Sequence, residues 1–256
     1  MNRIEDLFSR KKSNILSVFY TAGFPNLTDT VSIARELENA GADMIEIGVP
    51  FSDPIADGPV IQDSNNVALA NGMTVPLLLA QVKDIRQSVK LPIVLMGYLN
   101  PIMQYGVERF CQEASTAGVD GVILPDMPML EFERTYAPIF ARYNLLNTFL
   151  ISPTTSEARI RKIDAATKGF IYAVSSSSTT GAKGAFTAEQ HDYFKKLQGF
   201  KLKNPFLIGF GISNQLTFSV ACKYAHGAIV GSAFISHLLQ YQSENIQSFV
   251  DNIKPT

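Results

Sequence analysis

No tryptophan, two cysteines and three histidines occur in the 256 residues of this chain. Two cysteines, Cys111 and Cys222, are too few for the disulfide framework of a small secreted scaffold. Both stand in half-apolar segments of helical pattern, which reads as reduced structural thiols in a cytoplasmic protein. His191, His226 and His237 are scattered, without the spacing of a metal-ligand set, so no metal site is expected. The missing tryptophan excludes nothing, because so rare a residue is often absent by chance. Charge of one sign is lacking too: 22 basic residues against 23 acidic ones leave a net charge of -1. That balance offers no footprint for nucleic acid or an anionic membrane. No apolar run approaches the roughly 18–20 residues that span a bilayer. Met1 to Lys12 mixes acids with bases and has no apolar centre, so it reads as neither a secretory signal nor a transit peptide. Chemistry on a small molecule is what these absences leave.

What is present is an alternation of short apolar runs with amphipathic stretches, the pattern of repeated βα units around a parallel sheet. The runs are Ile15 to Thr21, Met44 to Val49, Ile93 to Tyr98, Gly121 to Leu124, Leu146 to Ile151, Phe170 to Val174, Phe206 to Gly209 and Ala228 to Val230. Helical periodicity occupies Thr28 to Ala40, Val75 to Ser88, Val107 to Ala117, Leu130 to Arg142, Glu157 to Ala166, Glu189 to Leu197, Gln215 to Tyr224 and Phe234 to Val250. Gly41, Gly118 and Gly227 follow helix ends as C-terminal caps do. Strand number and chain length both suit an α/β fold of the (β/α)8 TIM-barrel type. Two additions are expected. Ile4, Leu7 and Phe8 mark an extra N-terminal helix, and Gln62 to Asn71 an extra short helix after the second strand. No linker, charge block or low-complexity run divides residues 1–256, so one barrel domain is expected.

In such a barrel the chemistry gathers at the C-terminal ends of the strands. The second strand carries Glu46 there, within I-E-I-G-V-P-F-S-D-P-I-A-D-G-P from Ile45 to Pro59. An ionised carboxylate in a strand buried on both faces costs several kcal/mol unless paired or neutralised. No basic residue lies between Ala40 and Ile61 to pair with it locally. Burial would then raise its pKa and let one group donate and accept a proton near neutrality. The other reading is a strand-end carboxylate turned to solvent or paired with a distant lysine. Alternation along the strands would let Glu46 and Tyr172 both face inward if Ile45 and Ile171 pack against helices.

A second site pattern follows the last strands. Gly209-Phe210-Gly211-Ile212-Ser213 and Gly231-Ser232 place glycines and helix starts where main-chain N–H groups can hold a phosphate without Lys or Arg. Either loop alone is explained by Ser213 or Ser232 acting as a plain N-cap. Two such loops in adjacent final units favour phosphate binding. Ser178 to Gly184, after the sixth strand, has the small residues of a mobile lid or of an ordinary surface loop. In the lid reading Thr180 hydrogen-bonds the catalytic carboxylate on closure.

The run from Ile45 to Gly58 closely resembles the signature of the tryptophan synthase alpha subunits, and the similarity extends over essentially the whole chain, including Gly209 to Ser213 and Val230 to Ala233. The resemblance implies retro-aldol cleavage of indole-3-glycerol phosphate to indole and glyceraldehyde 3-phosphate, with no metal or organic cofactor. It implies Glu46 as general acid and base and Asp57 as acceptor of the indole N–H. Phe19, Ile61, Tyr172 and Phe210 would line the indole and glycerol part of the pocket. Gly181, Gly211, Gly231 and Ser232 would hold the phosphate, and Thr180 matches the lid threonine. It further implies a pyridoxal-phosphate beta subunit as partner in an α2β2 assembly, met by the loop Pro50 to Pro54 and the turn Leu99-Asn100-Pro101. Many relatives carry Gly and Val before the lid threonine where this chain has Ser178 and Thr179, a substitution expected to stiffen the lid. Around Gly97-Tyr98 the correspondence is ambiguous by one position, and Tyr98 is left outside the expected site. Two other readings stand beside this one: a sugar-phosphate isomerase or cyclase barrel, which leaves the Glu46/Asp57 pair unexplained, and a noncatalytic activating subunit.

Overall fold

The computed structural model describes residues 1–175, 184–241 and 245–254. Nine parallel strands form one sheet: β1 (Ile15–Thr21), β2 (Met44–Gly48), β3 (Ile93–Met96), β4 (Gly121–Ile123), β5 (Leu146–Thr148), β6 (Leu150–Ile151), β7 (Ile171–Val174), β8 (Phe206–Gly209) and β9 (Gly227–Val230). Their order, β5-β4-β3-β2-β1-β9-β8-β7-β6, runs almost all the way round a barrel with helices between the strands. The ring closes through Phe149, the single residue between β5 and β6. Thr148 pairs with Ile123 on one side and Leu150 with Tyr172 on the other, while the Phe149 carbonyl accepts from the Tyr172 N–H at 3.0 Å. The continuous run Leu146 to Ile151 is therefore one strand in the sequence and two half-strands in the fold. This is the (β/α)8 barrel expected.

The strands are buried almost throughout because helices cover their outer faces and side chains fill the inside. The N-terminal helix Arg3–Arg10 plugs the barrel floor. Asn2 and Glu5 form its capping box, and Ile4, Leu7 and Phe8 are buried. Ile4 reaches so far in that a Cβ on Gly121 would lie 2.8 Å from its Cδ1.

Several boundaries differ from the sequence reading. The helix after β2 is Pro59–Ala70, longer than expected, because Pro59 is favoured in the first turn. Leu99–Tyr105 is a helix rather than a turn. Pro101 falls in its first turn, where a missing N–H costs nothing, and the Asp126 carboxylate accepts from the Leu99 N–H. The stretch read as Phe234 to Val250 carries two helices, Ser232–Tyr241 and Ile246–Ile253, with Asn245 left-handed at φ 61°. Gly41 and Gly118 have positive φ at helix ends, as expected. Gly227 is no cap: it is the first residue of β9, and a Cβ there would lie 2.0 Å from the Ile15 carbonyl oxygen.

Candidate active site

Glu46 sits in the middle of β2, in register with Phe19 of β1 and Val94 of β3. Its exposure is 0%, which removes the reading of a carboxylate turned to solvent. No cation pairs with it among the described residues. One neighbour does reach it: the Ser17 hydroxyl of β1 donates to Glu46 Oε1 at 2.7 Å. Oε2 has no hydrogen-bond partner among the described residues. Burial pushes the Glu46 pKa up to about 7, with the Ser17 hydrogen bond acting in the opposite direction.

Tyr172 of β7 faces the same space. Its hydroxyl lies where a Gly209 side chain would be, 2.3 Å from the Cβ that glycine lacks. Burial, then the charges of Glu46 and Asp57, raise its pKa well above the ordinary phenol value, so it stays neutral. Phe210 meets its ring edge to face at 6.1 Å between centroids. Phe210 is held at φ 67°, an unusual angle for a bulky residue, with its carbonyl accepting from the Ser175 hydroxyl at 2.7 Å.

The acidic loop after β2 brings Asp57 over the strand ends. Asp57, Phe19, Ile61, Met96 and Tyr98 line one cleft. The Tyr98 hydroxyl donates to Asp57 Oδ2 at 3.0 Å and accepts from the Ala56 N–H at 2.9 Å. Burial raises the Asp57 pKa above the ordinary carboxylate range, and the Tyr98 hydrogen bond works against that rise. Tyr98, left out by the sequence reading, thus stands in the cleft and holds the acid that lines it, Asp57. The ambiguity was one of register after Gly97, which only the fold resolves. Gly48 and Gly97 make room for this wall. A Cβ on Gly48 would lie 2.7 Å from Phe19 Cζ, and one on Gly97 2.8 Å from Val49 Cβ. Ile61 is positioned from the Pro59–Ala70 helix, where Ser64 bonds the Ile61 carbonyl at 2.8 Å and Thr21 of β1 at 2.6 Å.

At the other rim, Gly231 precedes the helix Ser232–Tyr241, and its carbonyl accepts from Phe234 and Ile235. The N–H groups of Ser232 and Ala233 belong to a first turn, which has no acceptor within the helix. A Cβ on Gly231 would lie 3.6 Å from Phe19 and 3.9 Å from Ile61, so this helix start opens onto the same cleft wall. Gly211, at φ 76°, lies beside Ser175 and Phe186. The N-cap of the Gln215–Tyr224 helix is Asn214, with Thr217 completing its box, so Ser213 is not the cap. Thr180 and Gly181, with Ser178 and Thr179, lie outside the described residues.

A parallel barrel with a buried carboxyl near neutral pKa, a second acid held by a tyrosine, and a glycine-led helix start across the cleft defines an enzyme of acid–base chemistry. Comparison with known proteins specifies which. The family profile described as tryptophan synthase alpha chain matches residues 6–254. The tryptophan synthase alpha chain of Flavobacterium johnsoniae is 52% identical over 254 residues, covering 99% of this chain and 100% of that one. That of Parabacteroides distasonis is 53% identical over 238 residues, 93% of each. Among solved structures, the alpha chain from Legionella pneumophila subsp. pneumophila is 33% identical with a TM-score of 0.89, covering 99% of this chain and 96% of that one. Tryptophan synthase of Mycobacterium tuberculosis is 28% identical with a TM-score of 0.90, covering 99% and 97%. The chain belongs to the tryptophan synthase alpha chain family. It is a carbon–carbon lyase of tryptophan biosynthesis that cleaves indole-3-glycerol phosphate to indole and glyceraldehyde 3-phosphate.

Proposed function

We propose that Glu46 is the general acid and base of this cleavage and that Asp57 is the anion addressed by the indole nitrogen. The reaction requires a proton on ring carbon 3 to weaken its bond to the glycerol chain. Protonated Glu46 supplies that proton, and the positive charge that develops at the ring nitrogen falls to Asp57. Ionised Glu46 then takes the proton of the adjacent glycerol hydroxyl as the carbon–carbon bond breaks. The bonding electrons return to the ring, the hydroxyl carbon becomes the aldehyde, and Glu46 ends protonated as it began. One carboxyl near pKa 7 serves both transfers, and no cofactor is needed. Phe19, Ile61, Tyr172 and Phe210 enclose the indole and glycerol, while N–H groups around Gly211, Gly231 and Ser232 hold the phosphate. Thr180 and Gly181, which lie outside the described residues, are assigned to substrate binding as well.

The observation that carries this reading is the buried Glu46, which among the described residues has no cation beside it and one oxygen without a partner. Its test is Glu46→Gln, which is isosteric but cannot exchange a proton. Indole release from indole-3-glycerol phosphate should fall by about 10²–10⁴ with substrate binding retained. Turnover close to the parent rate would remove Glu46 from the role.

For the assembly, the reading is a pyridoxal-phosphate beta subunit as partner in an α2β2 complex in the cytoplasm, with residues 1–256 acting as one domain. The loop Pro50 to Pro54 and the helix Leu99–Tyr105 face that partner. Support comes from membership in a family named for one chain of a synthase, and from Ile55 and Met103, exposed apolar residues in or beside these two segments. Among the described residues no helix is long and apolar enough to cross a membrane.

A further inference from the structure

We propose that Ser17 is a positioning residue for the cleavage: by holding Glu46 Oε1 it makes Oε2 the oxygen that carries the proton to and from substrate. This rests on the role given to Glu46 above. Ser17 lies on β1 in register with Met44, one inward position below the Phe19 and Glu46 pair. Both Ser17 and Glu46 have 0% exposure. Inward positions of a parallel barrel are ordinarily filled by branched apolar side chains. A buried hydroxyl there needs a partner, and the partner it has is Glu46 Oε1 at 2.7 Å. The carboxyl is asymmetric as a result, with one oxygen occupied and the other without a partner among the described residues.

The chemistry of a hydroxyl suits this task better than that of a cation. A lysine or arginine would lock Glu46 in its ionised form, and a purely apolar neighbour would leave either oxygen free to carry the proton. A serine hydroxyl donates to Oε1 in both states, because the carbonyl oxygen of the acid and the carboxylate oxygen both accept. The proton of the acid form is thereby assigned to Oε2. Glu46 remains able to cycle, while its geometry is fixed before substrate arrives. Around it, Asp57 from the loop after β2 and Tyr172 from β7 are the other titratable groups acting across this space among the described residues. Neither is hydrogen-bonded to Glu46, so among the described residues Ser17 alone discriminates between the two oxygens.

The test is steady-state cleavage by the full chain across pH, for Ser17→Ala and for the isosteric pair Ser17→Thr and Ser17→Val. In the Ala and Val variants kcat should fall roughly tenfold with KM nearly unchanged, since only the proton transfer is disturbed. The alkaline limb of the kcat profile, where the acid form of Glu46 is lost, should move up by about one pH unit, because a hydrogen bond that favours the ionised form has gone. Thr keeps the hydroxyl and should keep the limb in place. A profile that coincides with the parent's in both Ala and Val, or a kcat loss with no movement of the limb, overturns the proposal. If the Ala variant does not fold, Thr against Val decides alone. A Glu46→Gln protein that still turns over would instead strike at the role of Glu46, so the two failures are distinguishable.

Discussion

Asp43 and Asp120 stand at the floor of the barrel and Glu46 and Asp57 toward its mouth, and the two pairs of acids are treated oppositely. Asp120 accepts from Arg86 at 2.5 Å, Arg3 at 2.9 Å and the Ile93 N–H at 2.9 Å. Asp43 accepts from Lys11, Lys254 and the Leu16 N–H at 2.6, 2.8 and 2.9 Å. Among the described residues Glu46 and Asp57 receive only neutral hydroxyls, from Ser17 and Tyr98. Burial without a counter-charge drives both of these pKa values up. Paired acids bind the floor helix and the strand starts together; acids without a cation retain the ability to exchange or orient charge. The division matches the separation of stability and catalysis between the two ends of a parallel barrel.

The sharpest way to break this comparison is Asp120→Asn. The substitution keeps the volume but leaves the Arg86 guanidinium, with 10% of its side chain exposed, without its carboxylate. A loss of about 3–5 kcal/mol in unfolding free energy is expected, with kcat of the folded fraction unchanged. Denaturant melts and kcat at matched folded concentration measure it. A loss below about 1 kcal/mol would mean that the Gly118 and Leu91 carbonyls, which also accept from Arg86, satisfy it by themselves.

Glu46→Gln should show the reverse at the mouth. The native pKa lies above the ordinary value of 4.5, at about 7, so between those pH values the folded chain holds more proton than the unfolded one. Stability contributed by this site therefore falls as pH rises from 4.5 to 7 and stays low above that. The cost at pH 8 is about 3 kcal/mol, and Gln removes it. The variant should melt higher than the parent at pH 8 and like it at pH 4. Equal melting at both would show that Glu46 is solvated in solution.

Tyr98→Phe is expected to have the smallest effect. It removes the donor to Asp57 Oδ2, which favours the ionised acid, so the acidic limb of kcat/KM should move to higher pH. A severalfold loss of kcat/KM near neutrality accompanies it, about 1 kcal/mol or slightly more. An unmoved limb would detach Tyr98 from Asp57.

Much of this arrangement was legible beforehand, for reasons that differ by residue. Buried parallel strands write themselves as continuous apolar runs, so β1 and β8 were read to the residue. Glu46 stood out because an acid in such a run contradicts its surroundings. Ser17 did not, since a small polar residue in a strand is unremarkable until register brings it beside an acid 29 positions away. Tyr98 was hidden by a one-residue ambiguity after a glycine. Phe149 was invisible because a strand that changes partner midway leaves no mark in composition. Pro101 misled the reading of Leu99–Tyr105, because proline in a first turn and proline in a loop look alike without the neighbouring Asp126.

The Asp43 clamp has a topological consequence. Lys11 comes from the start of the chain and Lys254 from its end, yet both ammonium groups close on one carboxylate. Residues 11 and 254 are therefore neighbours, and the stretch between them is nearly a ring held shut by ions rather than by a covalent link. Joining residue 254 to the first residues through a flexible linker long enough to run the length of the helix Arg3–Arg10, and opening the chain at a surface turn far from the cleft, would create new ends without displacing any strand.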